Sequence, residues 1–165
     1  MIKSITIFGG SGFLGSHIVR ELAKTHAAIQ IVSRNRFEGE ALKPCGDVGQ
    51  ITALEGDITD VRQVAYMING ADVVINLVGI LYEKGKQTFD RVHRQGAETI
   101  ARVAAEKGCK HLIHISALGS DPESPSKYAR SKAAGEEAVR THFPEAVIFR
   151  PSIVFGPEDS FFNKF

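Results

Sequence analysis

A parallel α/β sheet, doubly wound with helices on both faces, is what this sequence predicts, on three observations. Short apolar runs rich in Ile and Val alternate with amphipathic stretches of helical period. Six such runs fit within 165 residues. A glycine cluster follows the first run directly, where a strand must turn sharply into a helix.

The strand runs are Ile2–Phe8, Ala28–Ser33, Ile51–Glu55, Asp72–Val78, His111–Ser116 and Ala146–Arg150. Each is short and nearly continuous in apolar residues, as strands covered on both faces must be. Between them, Phe13, Leu14, Ile18, Val19 and Leu22 form one helical stripe, and Val61, Val64, Ala65 and Ile68 form another. Asp60, or Thr59, suits the N-cap of the second. The longest helix is predicted from about Gln87 to Lys107, with Phe89, Val92, Ile100 and Val103 inward. A further helix begins near Ser126 and ends before Pro144, and stops are signed at Gly70, Gly108 and Pro144. Phe37–Gln50, with three Gly and one Pro in fourteen residues, reads as mostly loop.

Composition narrows the function. Hydrophobic residues make up 43% and charged residues 24%, the proportions of an ordinary globular domain. Twenty Lys and Arg against nineteen Asp and Glu leave a net charge of +1, so no basic field points to nucleic acid. The two cysteines, Cys45 and Cys109, have no paired spacing, which argues against a disulfide framework or zinc site, and Cys109 reads as packed rather than nucleophilic. His111 and His114, three apart in a strand, point to opposite faces and cannot share a metal, while His17 and His142 read as surface. No run is long enough for a membrane span, and no targeting segment precedes the first strand, so a reduced, cytoplasmic setting is expected.

The glycine turn reads Gly9-Gly10-Ser11-Gly12-Phe13-Leu14-Gly15. Glycine permits the tight strand-to-helix turn and lets backbone N–H groups approach a pyrophosphate, while the helix that follows aims its positive end at that anion. The second strand ends Ser33-Arg34-Asn35-Arg36, with no acid until Glu38, where an NAD-type unit places a carboxylate on the ribose. Arg34 and Arg36 suit a 2′-phosphate, and nothing at the strand end rejects one by like charge, which favours NADP(H) while leaving NAD(H) open. Asp57, after the third strand, lies at the carboxyl edge beside the expected crevice.

Tyr128-Ala129-Arg130-Ser131-Lys132 sets a phenol and an ammonium four apart on one helix face. A nearby ammonium lowers a tyrosine pKa and fits the phenol for proton transfer. Ser116, ending the fifth strand, lies at the ligand-binding edge of such sheets, where its hydroxyl can orient a carbonyl oxygen.

With these residues in view, the chain resembles the short-chain dehydrogenase/reductase superfamily, in its extended or atypical branch. The likeness rests on Gly9–Gly15, Gly56-Asp57, Asn76-Leu77-Val78-Gly79, Ser116, Tyr128 and Lys132. Within that superfamily it is similar to the NADPH-binding accessory subunits of respiratory complex I and their bacterial relatives. The carriers are His114–Gly119, Ser126–Lys132, Arg150-Pro151-Ser152 and Gly156-Pro157-Glu158-Asp159.

The resemblance implies a Rossmann-type sheet in strand order 3-2-1-4-5-6 spanning residues 1–165. Gly9, Gly12 and Gly15, with Phe13 and Leu14 between them, would hold the pyrophosphate. Arg34 would take the 2′-phosphate, Asp57 and Ile58 the adenine, and Leu77, Val78 and Gly79 the adenosine ribose. Tyr128 would be the acid/base, with Lys132 on the nicotinamide ribose. One departure stands out: where such enzymes often carry Asn in the long helix, as part of a proton relay, this chain has His93. The function implied is a nicotinamide-dependent oxidoreductase acting on a small carbonyl or quinone. Two others stay open: a subunit of a respiratory assembly, peripheral to the membrane through its partners, that holds NADPH without turnover, and a redox-sensing regulator. Three of ten phenylalanines fall in the last five residues. They suggest a seventh strand and a substrate-binding segment outside this chain.

Overall fold

The computed structural model describes residues 2–159. Six strands, β1 (Ser4–Phe8), β2 (Ala28–Ser33), β3 (Ile51–Glu55), β4 (Val73–Asn76), β5 (His111–Ile115) and β6 (Val147–Phe149), form one sheet. Every pairing is parallel and the order is β3-β2-β1-β4-β5-β6, as predicted. Five α-helices connect them: α1 (Phe13–Leu22), α2 (Arg36–Glu40), α3 (Val61–Ile68), α4 (Gly96–Glu106) and α5 (Lys127–His142). The terminal phenylalanines 161, 162 and 165 lie outside the described residues.

Period-two alternation sends each strand's side chains into two separate cores. On one face Ile5, Ile7, Ile29 and Ile31 pack against Val19 of α1. On the other, Phe8, Val32, Val74 and Leu112 meet Val64 and Ile68 of α3, Ile100 and Val103 of α4, and Val139 of α5. Each such fully buried side chain contributes about 1.5–3 kcal/mol, on both faces of the sheet. The histidines of β5 divide as predicted, His111 exposed and His114 buried.

Two departures from the predicted elements have local causes. Within Phe37–Gln50, the helix α2 and a 3₁₀ turn at Lys43–Cys45 replace the predicted loop. The Asn35 side chain accepts from the Phe37 N–H and starts α2, and Gly39 lies so close to Ala53 and Ile31 that a larger residue would hold the helix off the sheet. The long helix is also not uniform. Asp90–Gln95 winds as a π-helix before α4 begins. This wider turn, a geometry frequent at functional sites, carries His93 inward.

Candidate dinucleotide site

β1 ends in Phe8, and Gly9 turns the chain with φ +79°, a conformation glycine adopts without penalty. Its N–H donates to the Val32 carbonyl oxygen at 2.8 Å, tying the turn to β2. Gly12 is the N-cap of α1. No side chain caps that helix and no acid sits in its first turn, so its amide dipoles are left for an anion. Gly15 acts differently: a Cβ there would collide with the Gly9 carbonyl oxygen and the Gly10 backbone. It lets α1 close onto the turn and does not itself face the cavity. Phe13 and Leu14 do not line it either. Phe13 packs edge-on against His17 and meets Gly156.

At the carboxyl edge of β1–β4 lies a cavity of about 420 Å³. Gly9, Gly12, Arg34, Asp57, Ile58, Leu77, Val78 and Gly79 all line it, so eight residues singled out in the sequence converge there. Ser11 of the glycine turn, Glu38, Gln87 and Arg91 line it as well, and none of them was assigned to the site from the sequence. Glu38, the first acid after β2, accepts a hydrogen bond from the Ser11 hydroxyl at 3.3 Å and lines this end of the cavity. For Arg36 the expectation is corrected. It pairs with Glu40 one helical turn on, at 2.8 Å, and does not line the cavity. Asp57 has partners of its own: Arg91 Nη2 at 2.9 Å, the Thr59 N–H at 2.9 Å and the Thr59 hydroxyl at 2.7 Å. Burial works to raise the Asp57 carboxyl, but these donors outweigh it and hold it below its usual value.

None of Tyr128, Lys132 and Ser116 lines this cavity, and of the three it is Lys132 that stands behind its Gly79 wall. A Cβ placed on Gly79 would be 4.0 Å from Lys132 Nζ and 3.7 Å from His93 Nε2. Lys132, only 4% exposed, donates to the Ile115 carbonyl oxygen at 2.8 Å. Burial lowers its pKa to about 8, against the opposing pull of Glu136. Tyr128 is half-buried and packs edge-on against Phe89 and His93. Its pKa is raised, by burial, where the sequence predicted a lowering by Lys132. The reason is geometric, since the ammonium is directed at the end of β5. Ser116 is buried, and its hydroxyl shares a 2.9 Å hydrogen bond with Ser120. The Glu136 carboxyl, which burial tends to raise, is nonetheless held below its usual value by Arg150 and Ser116.

His93 ties these parts together. Its Nε2 accepts from the Ile80 N–H at 3.0 Å, and its Nδ1 lies 2.8 Å from the Ser131 hydroxyl. Because that hydroxyl donates to the Tyr128 carbonyl oxygen at 2.7 Å, the His93 Nδ1 carries the proton and donates to it. Burial, with the Lys132 charge, lowers the His93 pKa to about 4, so the ring is neutral at pH 7. Beneath it, Asn76 joins the Val78 N–H to the His114 ring, with 3.1 Å on each side. His114 is lowered to about 3 by burial and by Lys132, and its Nε2 has no partner among the described residues.

Comparison with known proteins agrees with this geometry. Residues 9–157 match the family described as NAD(P)H-binding. The chain is 40% identical over 161 residues to the mitochondrial NADH dehydrogenase [ubiquinone] 1 alpha subcomplex subunit 9 of Mus musculus, covering 97% of this chain and 43% of that protein. It is 33% identical over 156 residues to the ceramide reductase of Caulobacter vibrioides, covering 94% and 48%. The chain thus spans under half the length of either relative. In fold it resembles the Bordetella bronchiseptica enzyme WbmH, solved in complex with NAD+, with a TM-score of 0.78 at 21% identity over 97% of this chain and 60% of that one. Among the described residues no helix is long and apolar enough to cross a membrane. With the family matched over residues 9–157 and the glycine turn, cavity and sheet order in place, this chain belongs to the NAD(P)H-binding family and has a Rossmann-type fold.

Proposed function

We propose that this domain is an NADP(H)-preferring oxidoreductase of the extended or atypical short-chain dehydrogenase type, working in the reductive direction on a small carbonyl or quinone. The observation that carries the reading is the placement of Lys132, a buried ammonium directly behind the Gly79 wall of the dinucleotide cavity. A bound nicotinamide supplies hydride. The chain's own residues do the rest. The uncapped start of α1 and the turn at Gly9 and Gly12 receive the pyrophosphate, and Arg34 at the cavity edge pairs with a 2′-phosphate. Lys132 reaches the nicotinamide ribose by exchanging its bond to the Ile115 carbonyl. Tyr128, held protonated by burial, donates its phenolic proton to the substrate oxygen as that oxygen gains negative charge, and Ser116 orients the carbonyl after leaving Ser120. An un-ionised phenol is a proton donor at pH 7, as reduction of a carbonyl requires.

A second reading has its own support. Lys132 and Ser116 are both engaged by protein partners, His93 stands where such enzymes often have Asn, and the mouse relative is named as a subunit of NADH dehydrogenase. In that reading the domain holds NADPH as a structural part of an assembly and never turns it over. One experiment separates the two. NADPH oxidation is followed with the whole protein over carbonyl and quinone substrates, beside calorimetric titration of NADPH. Turnover that falls roughly 10²–10⁴-fold in Tyr128→Phe with cofactor affinity intact supports the enzyme. Tight NADPH binding with no turnover on any substrate favours the structural subunit. Calorimetry on Arg34→Ala checks the cofactor preference, which should be lost.

A further inference from the structure

We propose that Glu136 is the positioning residue that keeps Lys132 charged at the dinucleotide wall, and that Arg150, following β6, governs how much of that carboxylate Lys132 can use. The inference rests on the proposed reading of Lys132 as the group that holds the nicotinamide ribose.

α5 buries one narrow face, made by Lys132, Gly135, Glu136 and Val139. Two of these four carry charge, and each is only 4% exposed. They stand four residues apart, the helical spacing at which side chains are neighbours. A buried ammonium needs a counter-charge to keep its proton, and the Lys132 hydrogen bond goes to the neutral Ile115 carbonyl. The groups on the other sides do not supply one. His93 of the π-helical turn and His114 of β5 are both neutral at pH 7, and the Tyr128 phenol, one turn earlier on α5, is un-ionised. Glu136 is the anion that acts on Lys132.

That carboxylate is shared. Arg150 donates to it twice, from Nε at 2.8 Å and from Nη2 at 2.7 Å. Strand register explains the reach: Ile115 pairs with Phe149, so Arg150 leaves β6 level with Ser116. Arg140, one turn further along α5, acts on Glu136 more weakly. The Arg150 side chain is half-exposed, whereas Lys132 is buried within reach of Gly79, so the positive charge that Glu136 leaves uncompensated lies toward the cavity wall. This polarity suits an anionic dinucleotide.

Opposite signs separate this role from packing. Glu136→Gln removes the counter-charge, so Lys132 releases its proton at lower pH. Arg150→Met leaves the carboxylate to Lys132, so the ammonium persists to higher pH. Arg150→Lys keeps the cation and should behave as the wild type does.

The test follows the Lys132 ε-methylene signal by NMR through a pH series, on the full chain labelled at lysine and without cofactor. Its absence from Lys132→Met identifies the signal. From a wild-type midpoint of about 8, Glu136→Gln is expected to lower the titration by about one pH unit, a tenfold weaker hold on the proton, and Arg150→Met to raise it. NADPH affinity, titrated between about pH 7 and 9 where the 2′-phosphate stays ionised, should begin its decline at correspondingly lower and higher pH. Midpoints unchanged in both variants, or moved the same way, overturn the proposal whatever the variants do to stability. Should Glu136→Gln not fold, Arg150→Met decides alone, and an unmoved midpoint there overturns the proposal. Midpoints that move as expected while NADPH affinity ignores pH overturn the role of Lys132 at the ribose, and leave the pairing of Glu136 with the ammonium standing.

Discussion

Replacing His93 with phenylalanine isolates what the imidazole's two nitrogens do. The ring is 2% exposed, so a phenyl of similar volume leaves no large cavity, and the change falls on hydrogen bonding. The Ile80 N–H loses its acceptor at 3.0 Å and the Ser131 hydroxyl loses its donor at 2.8 Å. A buried polar group left without a partner costs about 1–3 kcal/mol. Ile80 is only partly buried, so water recovers some of its loss, and the sum is expected near 2–4 kcal/mol. Urea unfolding followed by far-UV circular dichroism reads this directly. With a slope of about 2 kcal/mol/M, the midpoint should fall by roughly 1–2 M. His93→Gln, which offers an amide oxygen and an amide N–H in place of the two ring nitrogens, should recover about half. A His93→Phe midpoint indistinguishable from wild type would refute the claim that this ring braces the cavity wall against α5.

Three further outcomes are expected. Between pH 6.5 and about 4 the unfolded chain protonates its histidines while the folded chain keeps His93 and His114 neutral. Stability fully present above pH 6.5 is therefore lost as the pH falls, and His93→Phe should flatten the decline in a pH series of urea melts; an unchanged slope counts against it. Asp60 accepts from the Arg62 and Gln63 N–H groups at 2.9 and 3.2 Å, so Asp60→Ala should cost about 1 kcal/mol and lower Tm by roughly 2–4 °C in calorimetry. Gly135→Ala should destabilise by about 1–2 kcal/mol although alanine favours helices, because its methyl would collide with the His93 carbonyl oxygen; a more stable variant in the same melts would show that α5 is free to move away.

How much of this was legible in the sequence depends on which signal each part uses. β2, β3 and α1 fall on the predicted residues, because strands covered on both faces and a helix with one apolar stripe declare themselves by period. α2 did not, since five residues give no measurable period and its glycine, read as a breaker, is what lets it lie on the sheet. In the cavity, the glycine turn and the strand ends were readable because the fold always brings them together. Arg91 was not, as it meets Asp57 across 34 residues through the entry to the π-helical turn. The engagement of Lys132 by the Ile115 carbonyl was equally hidden. A backbone oxygen at a strand end carries no residue identity, so the Tyr-Lys spacing alone could not show that the ammonium is bonded to the end of β5.

The two walls of the cavity are made from different materials, and this bears on how its specificity can change. Along the β4 side, the Val78 N–H is held by Asn76 and the Ile80 N–H by His93. Both holding side chains are 2% exposed, and both are tied onward, to His114 and to Ser131. A substitution there disturbs buried polar groups on two elements at once, so its effects on stability and on binding are coupled. Along the β2 side, Arg34 and Glu38 are exposed side chains on a backbone fixed independently by Asn35 and Gly39. Exchanges at 34 and 38 change charge without touching the core, so stability should stay within about 0.5 kcal/mol while affinity moves. If the cavity holds the dinucleotide as proposed, charge on the β2 wall is free to vary, while the β4 wall stays constrained by the packing that also seats Lys132.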